Sequence, residues 1–210
     1  MPYDALLFDL DGTLIDTETV AMTTGMAAFA AMGHPVDAGF MQQLVGVDLP
    51  TAAGIIGAAL PTLDQNGLQS HWHRAFAAAI DDNLPLKPGA LDLLSARHRP
   101  MALVTSSGQA EAHHKLRVTG LAAHFTTIVT LADVTRPKPA PEPYLLAAER
   151  LGVSPARCLV FEDSEAGAEA AHRAGCTVVQ IPDVGPVTGR WAHFQAETLL
   201  DGARLAGLCP

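Results

Sequence analysis

The sequence predicts an α/β fold, a parallel sheet with helices on both faces, interrupted near its start by an all-helical insertion. Two patterns carry this reading. Short apolar runs alternate with helix-like stretches in residues 1–15 and 86–210, while residues 16–85 hold helix-like stretches and no convincing strand. The first run, Ala5-Leu6-Leu7-Phe8, ends in Asp9-Leu10-Asp11-Gly12-Thr13, where the glycine marks a turn. Thr19 to Met32, Ala38 to Val45, Thr51 to Leu60 and Leu63 to Asp82 then read as alanine-rich helices, with Pro35, Pro50 and Pro61 at their boundaries. The alternation resumes after Leu84-Pro85-Leu86-Lys87-Pro88-Gly89. Met101-Ala102-Leu103-Val104 leads into Thr105-Ser106-Ser107-Gly108 and a helix to about Val118, with Gly120 as its stop. Thr127 to Thr130 reads as a strand before a polar and then a proline-rich segment. Cys158-Leu159-Val160-Phe161 runs into Glu162-Asp163-Ser164 and a helix to Ala174; Thr177 to Ile181 is another strand, and a terminal helix spans Ala196 to Leu205. Right-handed crossovers bring the C-terminal ends of such strands to one edge, where open α/β sheets bind ligands.

Composition narrows the function. With 49% apolar and 17% charged residues, the 210-residue chain has ample material for a core and little for disorder. A net charge of −9 disfavours nucleic acid and anionic membrane as partners, but not a small phosphorylated metabolite held beside a metal. Cys158, Cys176 and Cys209 are odd in number and widely spaced, as expected for reduced thiols in a cytoplasmic protein. No stretch has the length of a membrane span, and the N-terminus lacks the basic flank and long apolar stretch of a signal peptide. Oligomeric state has no signature in the sequence.

Four groups at predicted strand ends carry the chemistry. Asp9 and Asp11 place two carboxylates on alternate residues, where each raises the other's pKa unless a cation intervenes. A solvated turn would use the same residue types. Thr105 and Ser106 put hydroxyls beside a helix N-terminus, which is a natural anion site and equally an ordinary cap. Lysine occurs only at Lys87, Lys115 and Lys138. Lys138 lies in Arg136-Pro137-Lys138-Pro139-Ala140-Pro141, whose prolines stiffen the backbone and hold the side chain on a fixed segment. Such an ammonium can offset phosphate or carboxylate charge, although a loop lysine is more often simply solvated. Glu162-Asp163 forms a second acidic pair, whose hard oxygen donors suit Mg2+, or alternatively favour the start of a helix.

Taken together in this order, the four groups resemble the haloacid dehalogenase superfamily. Asp9-Leu10-Asp11-Gly12-Thr13-Leu14 is similar to its first motif, Thr105 to its second, Lys138 to its third and Glu162-Asp163 to its fourth. Lys138 to Tyr144 and Phe161 to Gly167 resemble the branch that contains β-phosphoglucomutase and small sugar phosphatases. The resemblance covers nearly the whole chain. It implies a Rossmann-like core (1–15 and 86–210), a helical cap (16–85) that covers the strand ends, and Mg2+ as cofactor. It further implies that Asp9 attacks phosphorus to form an aspartyl-phosphate and that Asp11 serves as acid and base. Thr105, Ser106 and Lys138 would hold the phosphoryl group. Asp9, the Asp11 backbone carbonyl and Asp163 would ligate the metal, with Glu162 as a ligand or a partner of one.

Within that resemblance the residues favour hydrolysis of a phosphomonoester. Asp11 supplies an acid/base that haloacid displacement does not need, and residues 16–85 contain no lysine for an imine-based phosphonate hydrolysis. A β-phosphoglucomutase-like mutase needs a cap cation for a distal phosphate. Leu49 stands where that enzyme's arginine would fall, after Leu44-Val45-Gly46-Val47-Asp48, and Ala21 stands where a histidine would. Arg74 is the one Lys or Arg in 16–85, against seven Asp or Glu, and is the cationic candidate for substrate contact. His71 and His73 beside it are two residues apart and cannot share a helix face. The cation-poor insertion points to a neutral leaving group such as a sugar or polyol. Outside catalysis, a phospho-Asp receiver module uses similar groups, but is about half this size and lacks a helical insertion.

Overall fold

The computed structural model describes residues 3–44, 47, 49–96, 99–185 and 187–208, and the chain divides into two compact units: Met1–Asp16 with Pro85–Pro210, and Thr17–Leu84. Cys209, and Val45, Gly46 and Asp48 of the segment compared with the mutase, lie outside the described residues.

The larger unit is built on six parallel strands: β1 (Ala5–Phe8), β2 (Met101–Val104), β3 (Thr127–Val129), β4 (Cys158–Glu162), β5 (Thr177–Gln180) and β6 (Phe194–Gln195). They lie in the order β3-β2-β1-β4-β5-β6, the doubly wound arrangement, which reverses direction between β1 and β4. In register, Phe8 pairs with Leu103 on one side and Phe161 on the other. β1, β2 and β4 are buried at every residue, so they read as continuous apolar runs with no alternation.

Alternate strand residues serve opposite faces. Ala5, Leu7, Ala102, Val104, Val129, Cys158, Val160 and Val178 share one core with Tyr144, Ala147 and Ala148 of a helix at Glu142–Leu151 and with Ala168, Ala170 and Ala171 of a helix at Glu165–Arg173. On the other face Phe8 stacks on Phe161 with ring centroids 5.0 Å apart. There a helix at Leu199–Leu205 packs so closely that a Cβ on its Gly202 would collide with Val179. Covered faces of this kind bury apolar area worth about 25 cal/mol per Å2, the main force assembling the unit.

Numbered along the chain, the helices are α1 (Thr17–Ala31), α2 (Ala38–Gln42), α3 (Leu49–Ala59), α4 (Gln65–Asp82), α5 (Ala90–Ser95), α6 (Gln109–Val118), α7 (Glu142–Leu151), α8 (Glu165–Arg173) and α9 (Leu199–Leu205). The sequence reading did not anticipate α5, α7 or β6. The proline-rich segment conceals α7, because proline at a first helical turn starts a helix where prolines inside would break one. β6 has two residues and no readable period. One expectation about capping is corrected: Gly108, and neither Thr105 nor Ser106, is the N-cap of α6.

The smaller unit is α1 to α4, with no strand among its described residues. Ala28, Phe29, Met41, Ile56, Leu63 and Leu68 form its core, with Phe40 and Trp72 packed against it. Gly25 is the close-approach point of α1. A Cβ there would strike Met41 and lie 2.7 Å from the Trp72 ring. Trp72 Nε1 donates to the Ala21 carbonyl at 3.1 Å, fixing α4 on α1. Asp37 and Asp64 cap α2 and α4 by accepting from the backbone N–H of Phe40 and Asn66. No described helix is long and apolar enough to cross a membrane.

Candidate active site

Asp9 follows β1 directly, and its N–H donates to the Phe161 carbonyl of β4 at 3.0 Å. Asp9 and Glu162-Asp163 therefore stand side by side where the sheet reverses direction, the usual ligand crevice of a doubly wound sheet. Residues 10–16 fold back at once. Gly12 takes φ +80°, its N–H donates to the Ile15 carbonyl at 2.9 Å, and Ile15 pairs with Leu86 on the return from the helical unit. Leu10, Leu14 and Ile15 are wholly buried, so the turn is anchored by apolar packing as well as by hydrogen bonds.

Lys138 joins the first and fourth groups. Its Nζ donates to Asp9 Oδ1 at 2.6 Å, to Glu162 Oε1 at 2.6 Å and to the Val104 carbonyl at 2.9 Å, and its side chain is almost fully buried. Tyr144 Oη donates to the same Glu162 oxygen at 2.9 Å, while Ser164 N–H and Oγ–H donate to the other at 3.0 and 2.9 Å. Both oxygens of Glu162 thus already carry two donors each. That arrangement makes it the anchor of Lys138 and leaves little capacity for a metal. Tyr144 belongs to α7, and although it closes the Lys138 to Tyr144 segment, its role as a donor to Glu162 was not legible beforehand.

Asp11 has different company. Ser107 Oγ donates to its Oδ2 at 2.9 Å, and Lys115 Nζ donates to its Oδ1 at 2.8 Å. Lys115 is buried and also pairs with Glu111, four residues earlier on α6, at 2.5 Å. The sequence reading missed both partners. A usable signal existed: Lys115 falls on the buried stripe of α6 between Ala112 and Leu116, where a lysine requires a partner. The hydroxyl that reaches Asp11 belongs to Ser107; Ser106 is exposed. Thr105 is buried at the end of β2, its N–H on the Val129 carbonyl and its Oγ1 accepting from Ser107 N–H at 3.0 Å. Arg74 lies in the helical unit, exposed, with its guanidinium 3.3 Å from His71 Nδ1.

The electrostatics call for a cation. Asp9, Glu162 and Asp163 offer oxygens within 4.8 Å of one another, the one such cluster among the described residues, and Lys138 is the single ammonium between them. Burial, only partly opposed by Lys138 and reinforced by Glu162, raises the Asp9 pKa to about 7. Burial, with Asp9 and Glu162 nearby, raises Asp163 to about 9. Burial disfavours charge on Lys138, but the two adjacent carboxylates outweigh it and hold its pKa above the ordinary lysine value. The donors are all hard oxygens. Gly12 also leaves open a small space where a Cβ would strike Asp163 Oδ2. The residues fit a divalent ion such as Mg2+, with Asp9 and Asp163 as the carboxylates available to it.

Fold and site together define a Rossmann-like α/β enzyme with an acidic centre at its switch point and an all-helical insertion after the first strand. The chain belongs to the haloacid dehalogenase-like hydrolase family, whose model matches residues 6–181. It is 35% identical over 184 residues to a fructose-1-phosphate phosphatase of Escherichia coli, covering 85% of this chain and 96% of that one. It is 34% identical over 176 residues to a phosphorylated carbohydrates phosphatase of Thermotoga maritima, covering 82% of each. A family hydrolase of Deinococcus radiodurans, solved with bound phosphate and sodium, superposes with a TM-score of 0.85 at 28% identity, covering 98% of this chain and 96% of that one. The protein is accordingly a phosphoric monoester hydrolase on the sugar phosphatase branch of the family.

Proposed function

We propose that this protein is a cytoplasmic, Mg2+-dependent phosphatase of a small sugar or polyol phosphate and works through a phospho-Asp9 intermediate. The observation that carries the proposal is the unequal company of the two aspartates. Asp9 is buried against Lys138, whereas Asp11 is more exposed and held by Ser107 and Lys115.

Asp9 attacks phosphorus, and the bond from phosphorus to the ester oxygen breaks as Asp11 gives that oxygen a proton. Asp11 then takes a proton from water. The resulting hydroxide attacks phosphorus, and the bond to Asp9 breaks to release phosphate. Lys138 offsets charge on Asp9 and the transferring group. Thr105, Ser106 and the first-turn N–H groups of α6, which no side chain caps, would hold the phosphoryl oxygens. Asp9, Asp163 and the Asp11 carbonyl would hold Mg2+, which when bound neutralises charge on the phosphoryl oxygens. Glu162 acts through Lys138.

A neutral leaving group is supported by the helical insertion, where Arg74 is the single Lys or Arg. The named substrates of the relatives, fructose 1-phosphate and phosphorylated carbohydrates, belong to the same chemical class. The free thiols of Cys158 and Cys176 suit a reducing compartment. The test is a screen of phosphorylated metabolites with Mg2+, including β-glucose 1-phosphate with a bisphosphate primer. Phosphate release that falls about 10⁶-fold in Asp9→Asn is expected, the scale of losing a covalent nucleophile. Isomerisation with little phosphate release would favour the mutase reading instead, and stable phospho-Asp9 without turnover the receiver reading.

A further inference from the structure

Asp183 stands three residues beyond β5, at the sheet edge that carries Asp9 and Asp163. Its Oδ1 accepts from Lys87 Nζ at 2.8 Å, and both side chains are mostly buried. Its Oδ2 is buried with no hydrogen-bond partner among the described residues. A buried acceptor left without a donor costs about 1–3 kcal/mol, more when charged, so such a group calls for a water or an ion.

The position of that oxygen is informative. A Cβ built on Gly12 would collide with Asp163 Oδ2 and lie 3.2 Å from Asp183 Oδ2. Both carboxylate oxygens therefore face one small space beside the Gly12 backbone. Asp163 is a carboxylate available to the ion, whereas Asp183 already carries the Lys87 ammonium on its other oxygen. Mg2+ keeps several of its waters when it binds protein, and each is a strong donor polarised by the ion.

We infer that Asp183 accepts a hydrogen bond from a metal-bound water, with Lys87 fixing its orientation from the opposite oxygen; the inference rests on the Mg2+ reading above. Asp183 is thus a positioning residue for the metal site, and Lys87 positions it in turn. Outer partners of this kind typically contribute about 10–100-fold to metal affinity.

The test is Mn2+ titration of the full chain, following free Mn2+ by electron paramagnetic resonance. Asp183→Asn should weaken Mn2+ binding about 10–100-fold and raise the Mg2+ concentration for half-maximal phosphate release by a similar factor. Its kcat at saturating Mg2+ should stay near the wild-type value. Lys87→Met, which keeps the acceptor and loses its anchor, should give a smaller loss of affinity. A variant that melts at a lower temperature yet binds Mn2+ as the wild type does would overturn the inference and reduce the pair to a structural one. Asp183→Ser is measured in the same way should Asp183→Asn not fold. Failure of the wild type to bind Mn2+ would overturn the Mg2+ reading along with this inference, whereas unaffected binding in the variants overturns this inference alone.

Discussion

The sheet edge of the larger unit and the interior of the helical unit solve opposite problems. At the edge, Asp9, Glu162 and Lys115 are buried, and Lys138 is nearly so, each within hydrogen-bond reach of an opposite charge. In Thr17–Leu84 the buried polar side chains among the described residues are two threonines, of which Thr24 turns its hydroxyl to the Val20 carbonyl at 2.7 Å. The interior of the helical unit is mainly apolar packing, which tolerates substitution of similar volume. The edge is held by charges whose desolvation is offset only while every partner is present. Removing one charge should therefore be costly at the edge, where it strands buried partners, and mild on the exposed face of the helices.

Lys138→Met puts the contrast to its hardest test. It leaves Asp9 and Glu162 buried without their ammonium, and urea unfolding should show about 3–5 kcal/mol of destabilisation. Arg74→Met, which removes an exposed cation from the helical unit, should stay within about 0.5 kcal/mol. Equal losses from the two changes would end the distinction.

The pH dependence follows from Asp9 and Asp163, whose folded pKa values of about 7 and about 9 lie above the ordinary value of 3.8. The metal-free folded state then binds more protons than the unfolded chain. The stability they contribute is complete below pH 3.8 and lost as pH rises through about 7 and then about 9. The Tm of metal-free protein should fall over that range, and added Mg2+ should raise Tm more at pH 9 than at pH 6, as measured by calorimetry. A Mg2+ effect of the same size at both pH values would contradict the assigned charge states.

Two glycines give the smallest and cleanest pair. A Cβ on Gly167 would collide with the buried Glu162 carboxylate that anchors Lys138, so Gly167→Ala should cost about 1–3 kcal/mol and lower kcat. Gly54, inside α3, has nothing within 4 Å of a Cβ position, so Gly54→Ala should stabilise by about 0.5–1 kcal/mol in thermal unfolding.

Much of this was legible beforehand, for local reasons. Strands β1, β2 and β4 announce themselves because both faces of the sheet are covered, and Asp9, Lys138 and Glu162-Asp163 because their short motifs are dense in unusual residues. Helix α7 was hidden by its own prolines, and with it the bond from Tyr144 to Glu162. That Ser107 reaches Asp11 was not legible, because which hydroxyl turns toward Asp11 depends on the backbone turn that Ser106 and Ser107 share.

By itself, then, the sequence determined the α/β alternation, the helical insertion and the residue types at the strand ends, all of which follow from local periodicity and turn chemistry. Only the tertiary structure decided their partnerships: Lys115 on Asp11, Glu162 saturated as the anchor of Lys138, and Asp183 facing the space beside Gly12. Those contacts join residues far apart in the chain. They depend on strand order and helix rotation, which hydrophobic pattern constrains only as far as which face is buried.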